Sequence, residues 1–232
     1  MISLIKILFH GGGSIVQGTV NTKKVVKATG TPMGVLKATI SDAKATGASK
    51  VFGGISGRKN ADATGKSDSE LRAALVAAFG PGPKGGEVNV AAAAKGLGKS
   101  PSTIKRWLTG KSTPKAENRK ELLAKARQAA STKKGRAVVV ESLKAGPAGA
   151  KISKYGAWLK VQAIQGPAGY ERDRSIRWDL PPELVDDALA AYTADGDKGF
   201  ADFMADYANT DYYGNIPDWN VFSWGDVDLD PK

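Results

Sequence analysis

Residues 87–127 read EVNVAAAAKGLGKSPSTIKRWLTGKSTPKAENRKELLAKAR, and this stretch has the residue pattern of two helices joined by a tight turn. Ala94 is small enough for two helices to cross closely, and Gly98, four residues later, suits a left-handed turn. The apolar contacts between the helices are predicted to come from Leu97, Ile104 and Trp107. Together these residues predict a helix-turn-helix.

The second helix of this motif is predicted to run from Pro101 to about Thr109. Ser100 suits its cap, and Pro101 suits its first position because the N–H that proline lacks needs no helical partner there. The outward side holds four polar residues: Ser102, Thr103, Lys105 and Arg106. A recognition helix lays such a side into the major groove of DNA, although an ordinary helical hairpin with a solvated basic face shows the same pattern. Lys99 is a departure, because an apolar residue is more usual after the turn glycine.

Charge is distributed very unevenly along the 232 residues. Residues 1–178 hold 32 Lys and Arg against 10 Asp and Glu, whereas residues 179–232 hold 2 against 13. The whole chain has a formal net charge of +11 and a pI near 9.7. A strongly basic body predicts a polyanionic partner such as nucleic acid.

The composition also excludes several kinds of site. The chain has no cysteine, which excludes disulfides and thiolate metal sites. Its only histidine is His10, so a histidine-clustered metal site is excluded and a Ser-His-Asp triad is not expected. No apolar run approaches the roughly 20 residues of a membrane span, and Met1–Phe9 is too short for a signal peptide and lacks its cleavage site. We expect a cytoplasmic protein that binds no metal or cofactor of its own and no membrane.

Composition divides the chain into three predicted parts. Residues 1–66 are basic and rich in Gly and Thr, and they form either an arm along the phosphate backbone or a small sub-domain. Residues 67–133 form the helix-turn-helix domain, with a supporting helix from Asp68 or Ser69 to Gly80-Pro81. A basic turn and a basic helix over residues 115–131 follow the recognition helix. Three further DNA-contacting residues are predicted there: Lys111, Arg119 and Lys120.

Residues 134–232 are predicted to form the third part, with an acidic C-terminal end. Four segments have strand character: residues 137–143, 157–164, 174–180 and 221–229. Identical Gly-Pro-Ala-Gly turns at 146–149 and 166–169 favour antiparallel pairing. Helices over residues 183–193 and about 199–209 separate the third strand from the last. The fold class is therefore α+β, a helical helix-turn-helix domain followed by a small antiparallel-sheet domain.

The predicted sheet is basic and contains aromatic residues among its cations. Arg172 and Arg174 precede or begin the third strand, and Trp158 lies in the second. Cations with interleaved aromatics favour single-stranded nucleic acid, whose bases stack on the rings. The alternative for Trp158 and Trp178 is an ordinary place in the hydrophobic core.

The last predicted strand carries an acidic row. Asp226, Asp228 and Asp230 alternate and therefore share one face of a strand. Such a face is solvated, covers a basic surface of the protein or of a partner, or holds Mg²⁺. A two-metal nuclease needs more converging carboxylates than the sequence offers, so we assign no metal ligand.

In the order of its features, the chain resembles the telomere-protecting terminal proteins of linear actinobacterial chromosomes and plasmids. The matching pieces are the helix-turn-helix Ala93–Trp107, the basic helix to Ser131, and the segments AVVVES, GYERDRSIRWDLPPEL and VFSWGDVDLD. The resemblance covers residues from about 90 to 232. It implies a DNA-binding protein that caps the telomeres of a linear replicon, binding single-stranded 3′ overhangs and becoming linked to the 5′ end.

The resemblance also implies protein priming of DNA replication by a side-chain hydroxyl. The family's priming threonine falls in a segment matched here by GPAGYERDR, residues 166–174, which has no threonine. Tyr170 is the nearest hydroxyl before Ser175, and we take it as the candidate priming residue. A phenol loses its proton more readily than an alcohol, and Arg172 and Arg174 are expected to favour the phenolate and hold a triphosphate.

On this interpretation the protein is a nucleotide-accepting substrate and not itself an enzyme. A DNA polymerase supplies the catalysis, the Mg²⁺ and the dNTP, and a telomere-associated protein is a further expected partner. The expected location is the nucleoid. The alternative function is a helix-turn-helix transcriptional or plasmid regulator, a homodimer joined through its α+β part; a structural protein whose basic face meets an acidic partner is a third.

Overall fold

The computed structural model describes residues 15–16, 19–20, 22–59, 61–63, 71–212 and 219–232. Ten helices lie in these ranges: α1 (Thr22–Thr29), α2 (Met33–Ser56), α3 (Leu71–Phe79), α4 (Val90–Gly96), α5 (Pro101–Leu108), α6 (Ala116–Ser131), α7 (Lys133–Lys144), α8 (Pro147–Tyr155), α9 (Pro182–Asp195) and α10 (Asp197–Tyr207). Five strands lie there too: β1 (Ile15–Val16), β2 (Thr19–Val20), β3 (Ala157–Pro167), β4 (Arg172–Leu180) and β5 (Trp219–Pro231). Met1–Phe9, His10, and the predicted helix start at Asp68 or Ser69 lie outside the described residues.

The α+β class is confirmed, because a set of helices surrounds an antiparallel sheet of β4, β3 and β5. β3 is the central strand, and its residues alternate between a buried and a more exposed face. On the buried face, Leu159 pairs with Trp178 of β4 and with Leu229 of β5. The strands predicted at 157–164, 174–180 and 221–229 are all present. Within the described ranges, every helix is too short or too polar to cross a bilayer.

The prediction of a strand at residues 137–143 is wrong, because these residues belong to α7. Thr132 caps this helix, its hydroxyl accepting a hydrogen bond from the Gly135 N–H at 3.0 Å. Val139 and Val140 are buried where α7 packs against α6 and α9, whereas Val138 faces solvent. Burial on one helical face outweighs the preference of three consecutive valines for a strand.

The two Gly-Pro-Ala-Gly segments adopt different conformations, so the predicted turn at 146–149 is wrong and the one at 166–169 is confirmed. Pro147 occupies the first position of α8, where its missing N–H costs nothing. Pro167 instead ends β3, and its carbonyl accepts a hydrogen bond of 2.9 Å from the Tyr170 N–H. The order after residue 132 is therefore α-α-β-β-α-α-β and not β-β-β-α-α-β.

The described part of residues 1–66 contains the 24-residue helix α2, which packs against β5 at its C-terminal end. Phe52 and Ile55 have no exposed surface. Gly54 allows this close approach, because a Cβ built there would lie 2.2 Å from the Val227 carbonyl oxygen. One hydrophobic cluster runs from α2 through the helix-turn-helix to β5, across the predicted boundaries after residues 66 and 133.

Candidate nucleic-acid interface

The first helix of the motif and the turn after it have the predicted geometry. Asn89 caps α4, its side-chain oxygen accepting a hydrogen bond from the Ala92 N–H at 3.0 Å. Gly98 adopts φ 60° in the turn, and the Lys99 N–H donates to the Ala94 carbonyl at 2.9 Å. Since a positive φ is strained for most residues, glycine at this position allows the tight turn that connects α4 to α5.

The second helix, α5, is capped and anchored as its sequence predicts. The Ser100 hydroxyl accepts a hydrogen bond from the Thr103 N–H at 3.2 Å, and Pro101 occupies the first helical position. Ile104 has no exposed surface, and Trp107 is also buried. The predicted helix-turn-helix is confirmed, and its second helix is held in one orientation by its apolar side.

A single arc of α5 faces solvent, and we call it the exposed arc. Its members are Pro101, Ser102, Lys105, Arg106 and Thr109, the last being the residue after the helix. At 3.6 residues per turn these positions span roughly 140° of the helix circumference. Thr103, predicted to face outward, is half-buried, and its hydroxyl lies 2.9 Å from that of Ser100. Thr103 therefore belongs to the cap more than to the outward face.

Three cations at or just after α5 have no carboxylate partner among the described residues. Lys105, Arg106 and Lys111 are exposed, and none forms an ion pair with a carboxylate in the part of the chain that the structure describes. Residues 71–144 hold 16 Lys and Arg but only 4 Glu and no Asp. Of the predicted residues on α6, Lys120 is exposed and Arg119 is half-buried. Lys105, Arg106 and Lys111 therefore leave the exposed surface around α5 with a local excess of positive charge.

Arg72 is a positioning residue that the sequence pattern does not reveal. Its guanidinium donates to the Leu108 carbonyl at the end of α5 (3.3 Å) and pairs with Glu87 (2.7 Å). This links α3 to the last turn of α5. An arginine in a short helix has no distinctive spacing, so only the structure shows this contact.

The predicted residues Tyr170, Arg172 and Arg174 lie in a different place, at the hairpin between β3 and β4. The Tyr170 side chain is 77% exposed, which excludes packing on the sheet. Its main chain is nonetheless fixed, because its N–H donates to Pro167 and its carbonyl accepts from Arg174 at 3.2 Å. Arg172 is exposed, and Arg174 is half-buried with its guanidinium 5.8 Å from the centre of the Trp219 ring. The turn thus presents a phenol to solvent from a hydrogen-bonded stretch of main chain.

Glu171 and Asn220 complete this turn, and sequence reasoning missed both. The Glu171 carboxylate accepts a hydrogen bond from the Gly169 N–H at 3.0 Å and another from the Asn220 side chain at 3.2 Å. The second contact joins the hairpin to the start of β5. Nothing in the local sequence pairs these two residues, because they are distant along the chain.

The outer face of the sheet is not a free basic surface, because the acidic row of β5 neutralises it. Three lysines pair with three aspartates: Lys50 with Asp226 (3.6 Å), Lys59 with Asp228 (2.9 Å) and Lys160 with Asp230 (3.1 Å). We call these six residues the paired face. The hydrogen bond to Asp228 raises the pKa of Lys59, and burial lowers it to a smaller extent. The sequence left three interpretations for the acidic row: a solvated face, a cover for a basic surface, or a Mg²⁺ site. The observed ion pairs agree with the second, because the aspartates cover the protein's own lysines.

A cavity of about 330 Å³ lies beside the paired face, between α2 and β5. Its charged lining residues are Lys50, Lys59, Asp226 and Asp228. Two cations balance two anions, so the cavity favours neither an anion nor a metal ion. Among the described residues, no group of three or more metal-ligating side chains is arranged to hold a metal.

The two predicted sheet tryptophans face opposite sides. Trp178 has no exposed surface and packs against Tyr207, with ring centres 5.3 Å apart, so its interpretation as core is confirmed. Trp158 is half-buried on the outer face, where the Arg177 guanidinium lies 3.8 Å from the centre of its ring. Because a cation already covers one face of Trp158, that face is not open for a stacked base.

No family model, curated protein or solved structure matches this chain.

Two buried arginines lie outside α5 and the β3–β4 hairpin, and they hold parts of the fold together. Arg136 of α7 donates to the Thr193 carbonyl (3.1 Å) and the Ala194 carbonyl (3.0 Å) at the end of α9. Arg58 donates to the Ala77 carbonyl at 2.6 Å near the end of α3, and burial lowers its pKa to about 10. Both cations neutralise helix C-termini and join distant elements.

Proposed function

We propose that the protein binds DNA by inserting α5 into the major groove. The observation that carries this proposal is the exposed arc, which presents Lys105 and Arg106 without internal partners among the described residues. A recognition helix needs a fixed orientation, which Ile104 and Trp107 provide from the opposite side. Lys111, Lys120 and Arg119 extend the positive surface beyond α5 and are assigned to phosphate contacts.

The test is a fluorescence titration of a duplex library with the full chain at several salt concentrations. Arg106→Ala is expected to weaken binding roughly tenfold, because the loss of a guanidinium contact to DNA costs about 1–3 kcal/mol. Lys198→Ala is the matched control, since it removes an exposed cation from the acidic helix α10 and leaves the exposed arc intact. Unchanged affinity of Arg106→Ala at moderate salt contradicts the assignment of α5 as the recognition helix.

We further propose that the bound DNA is the end of a linear replicon, and that the protein caps this telomere and primes its replication. This finer proposal is supported by the resemblance over residues 90–232 and by the exposure of the Tyr170 phenol. In the reaction, the Tyr170 oxygen attacks the α-phosphorus of a dNTP, forms a phosphodiester and releases pyrophosphate as the phenol loses its proton. A DNA polymerase provides catalysis and Mg²⁺, so this chain is a substrate.

Nucleotide attachment tests the priming proposal directly. The chain is mixed with the polymerase of its replicon, Mg²⁺ and a labelled dNTP, and covalent label on the protein is measured. Tyr170→Phe is expected to abolish labelling, whereas Tyr155→Phe, a change at another exposed tyrosine, leaves it intact. Equal labelling of Tyr170→Phe and the unmodified chain removes Tyr170 as the primer.

A transcriptional or plasmid regulator is the second candidate, because the helix-turn-helix geometry is also complete for an internal duplex site. A regulator binds as a dimer to half-sites about one helical turn apart. A terminal protein instead prefers hairpin-ended or single-stranded ends. Competition between these DNA forms separates the two functions, since each predicts the opposite order of affinity.

A further inference from the structure

We infer that α5 reads guanine in the major groove, with Arg106 and Lys105 as the reading residues. This inference rests on the proposed insertion of α5 into a duplex, and it adds which base the helix selects. It follows from the hydrogen-bonding chemistry of the exposed arc.

The exposed arc offers hydrogen-bond donors from both of its long side chains. Arginine and lysine carry donors and no acceptor. The arc contains no Asn, Gln, Asp or Glu, so it lacks the amides that pair with adenine and the carboxylates that accept from cytosine. Pro101, at its N-terminal edge, has no side-chain polar atom.

The two hydroxyls of the exposed arc are already engaged within the protein. The Ser102 hydroxyl lies 2.8 Å from the Ser100 hydroxyl at the cap. The Thr109 hydroxyl donates to the Lys105 carbonyl at 3.0 Å and lies beyond the C-terminal end of α5. Because the Thr109 hydroxyl gives its only proton to a main-chain carbonyl, it has no donor left for an acceptor on a base edge.

Guanine is the base whose edge matches such a surface. In the major groove it presents two acceptors, N7 and O6, and no donor. Adenine presents one donor beside its acceptor, cytosine presents a donor, and thymine presents one acceptor beside a methyl group. A guanidinium can donate to both guanine acceptors at once, so Arg106 is assigned the bidentate contact and Lys105 a single-point contact.

The directions in which Arg106 and Lys105 project are fixed by buried residues of α5 and by one residue of α3. Ile104 and Trp107 hold the buried side, and Arg72 fixes the last carbonyl of the helix. The two cations are adjacent in sequence and project about 100° apart, so they reach neighbouring base pairs and not a single one. The site is therefore expected to contain guanines at two nearby positions.

The experiment selects binding sites for the full chain from a library of duplexes with a random core. Each guanine of the selected site is then replaced in turn by 7-deazaguanine, which keeps base pairing but removes the N7 acceptor. We expect one or two positions at which this replacement weakens binding roughly 5- to 30-fold. Inosine, which loses only the minor-groove amino group, is the matched control and is expected to change affinity less than twofold.

The protein variants assign the contact. Arg106→Ala is expected to lose sensitivity to 7-deazaguanine at one position and to keep it at the other. Arg106→Lys retains the charge and is expected to recover most of the affinity lost in Arg106→Ala but only part of the preference for guanine. Because Arg106 is exposed, both variants should keep the circular dichroism spectrum and melting temperature of the unmodified chain.

The outcomes separate this inference from the proposed function. A selected site without guanine, or guanines that all tolerate the loss of N7, overturns guanine reading while leaving duplex binding in place. In that case Lys105 and Arg106 contact phosphates only. Failure to bind any duplex overturns the proposed function, and the inference falls with it.

Discussion

The exposed arc of α5 and the paired face of the sheet are both rich in cations, yet they differ in what those cations meet. Lys105 and Arg106 meet no carboxylate among the described residues, whereas Lys59 and Lys160 meet Asp228 and Asp230. The arc is available to a polyanion, and the paired face has already been neutralised by the C-terminal strand. The comparison teaches that a count of local charge predicts a nucleic-acid surface only where no distant segment supplies the counter-charges.

The largest predicted effect concerns the packing that creates the paired face. Gly54→Ala places a Cβ against the Val227 carbonyl, and we expect the free energy of unfolding to fall by about 3 kcal/mol because α2 must move off β5. Urea unfolding measures this loss. Gly34→Ala is the control in the same helix, because its Cβ meets no atom within 4 Å and alanine favours helix. Equal stability of the two variants contradicts the close α2–β5 contact.

The second prediction concerns the cap that begins the exposed arc. Ser100→Ala removes the acceptor for the Thr103 N–H, and we expect a loss of about 1 kcal/mol in the free energy of unfolding. The affinity for duplex DNA should fall as well, because the start of α5 frays. Ser153→Ala, at an exposed position inside α8, serves as the control and should change neither quantity. If both variants behave alike, the cap does not organise the arc.

The third prediction concerns a buried carboxyl, Asp197, whose ionisation makes the stability of the protein depend on pH. Burial raises the pKa of Asp197 from 3.8 to about 6, and the Coulombic effect of Arg136 opposes this only in part. Because the folded-state pKa is the higher one, the stability associated with Asp197 is fully present below about pH 4 and is lost as the pH rises through 6. After allowance for partial exposure, Asp197→Asn should raise the free energy of unfolding by roughly 1 kcal/mol at pH 7.5.

The measurement for Asp197 is a pair of urea titrations of each protein, at about pH 3 and at pH 7.5. The two proteins are expected to be nearly equal in stability at about pH 3, where the carboxyl is largely protonated in both the folded and the unfolded state. A gain for Asp197→Asn that is the same at both pH values contradicts the titration argument. Asp187→Asn, at an exposed position of α9, is the control.

The smallest predicted effect is on the paired face itself. Replacement of Asp226, Asp228 and Asp230 by Asn should cost less than about 1 kcal/mol of stability, because each ion pair includes an exposed lysine and is screened by solvent. The released lysines should raise the affinity for DNA about two- to threefold at low salt, and this gain should vanish at high salt. Thermal melting and a salt series of DNA titrations measure the two quantities. An unchanged affinity at low salt shows that the paired lysines lie out of reach of DNA.

The helix-turn-helix was predictable from sequence because its signals are local. Ser100, Gly98 and Ile104 lie within seven residues of one another, and each acts on a neighbouring turn or helix. Residues 137–143 were not predictable in the same way. Three valines favour a strand, and the burial of Val139 and Val140 against α9 depends on residues much later in the chain.

The candidate sites show the same division between local and distant information. The outward direction of Lys105 and Arg106 follows from the helical period alone, and the structure agrees. The pairing of Lys59 with Asp228, and the hold of Asn220 on Glu171, join segments that no local pattern connects. The acidic row was visible in the sequence, but its partners were not.

DNA binding through α5 is tested by comparing the DNA affinities of two double variants at about 150 mM salt. Lys105→Ala with Arg106→Ala removes the cations of the exposed arc, and Lys59→Ala with Lys160→Ala removes two cations of the paired face. We expect at least a roughly tenfold loss of affinity for the first variant and a change of less than about twofold for the second. Equal losses, or a larger loss for the paired face, would contradict the assignment of DNA binding to α5.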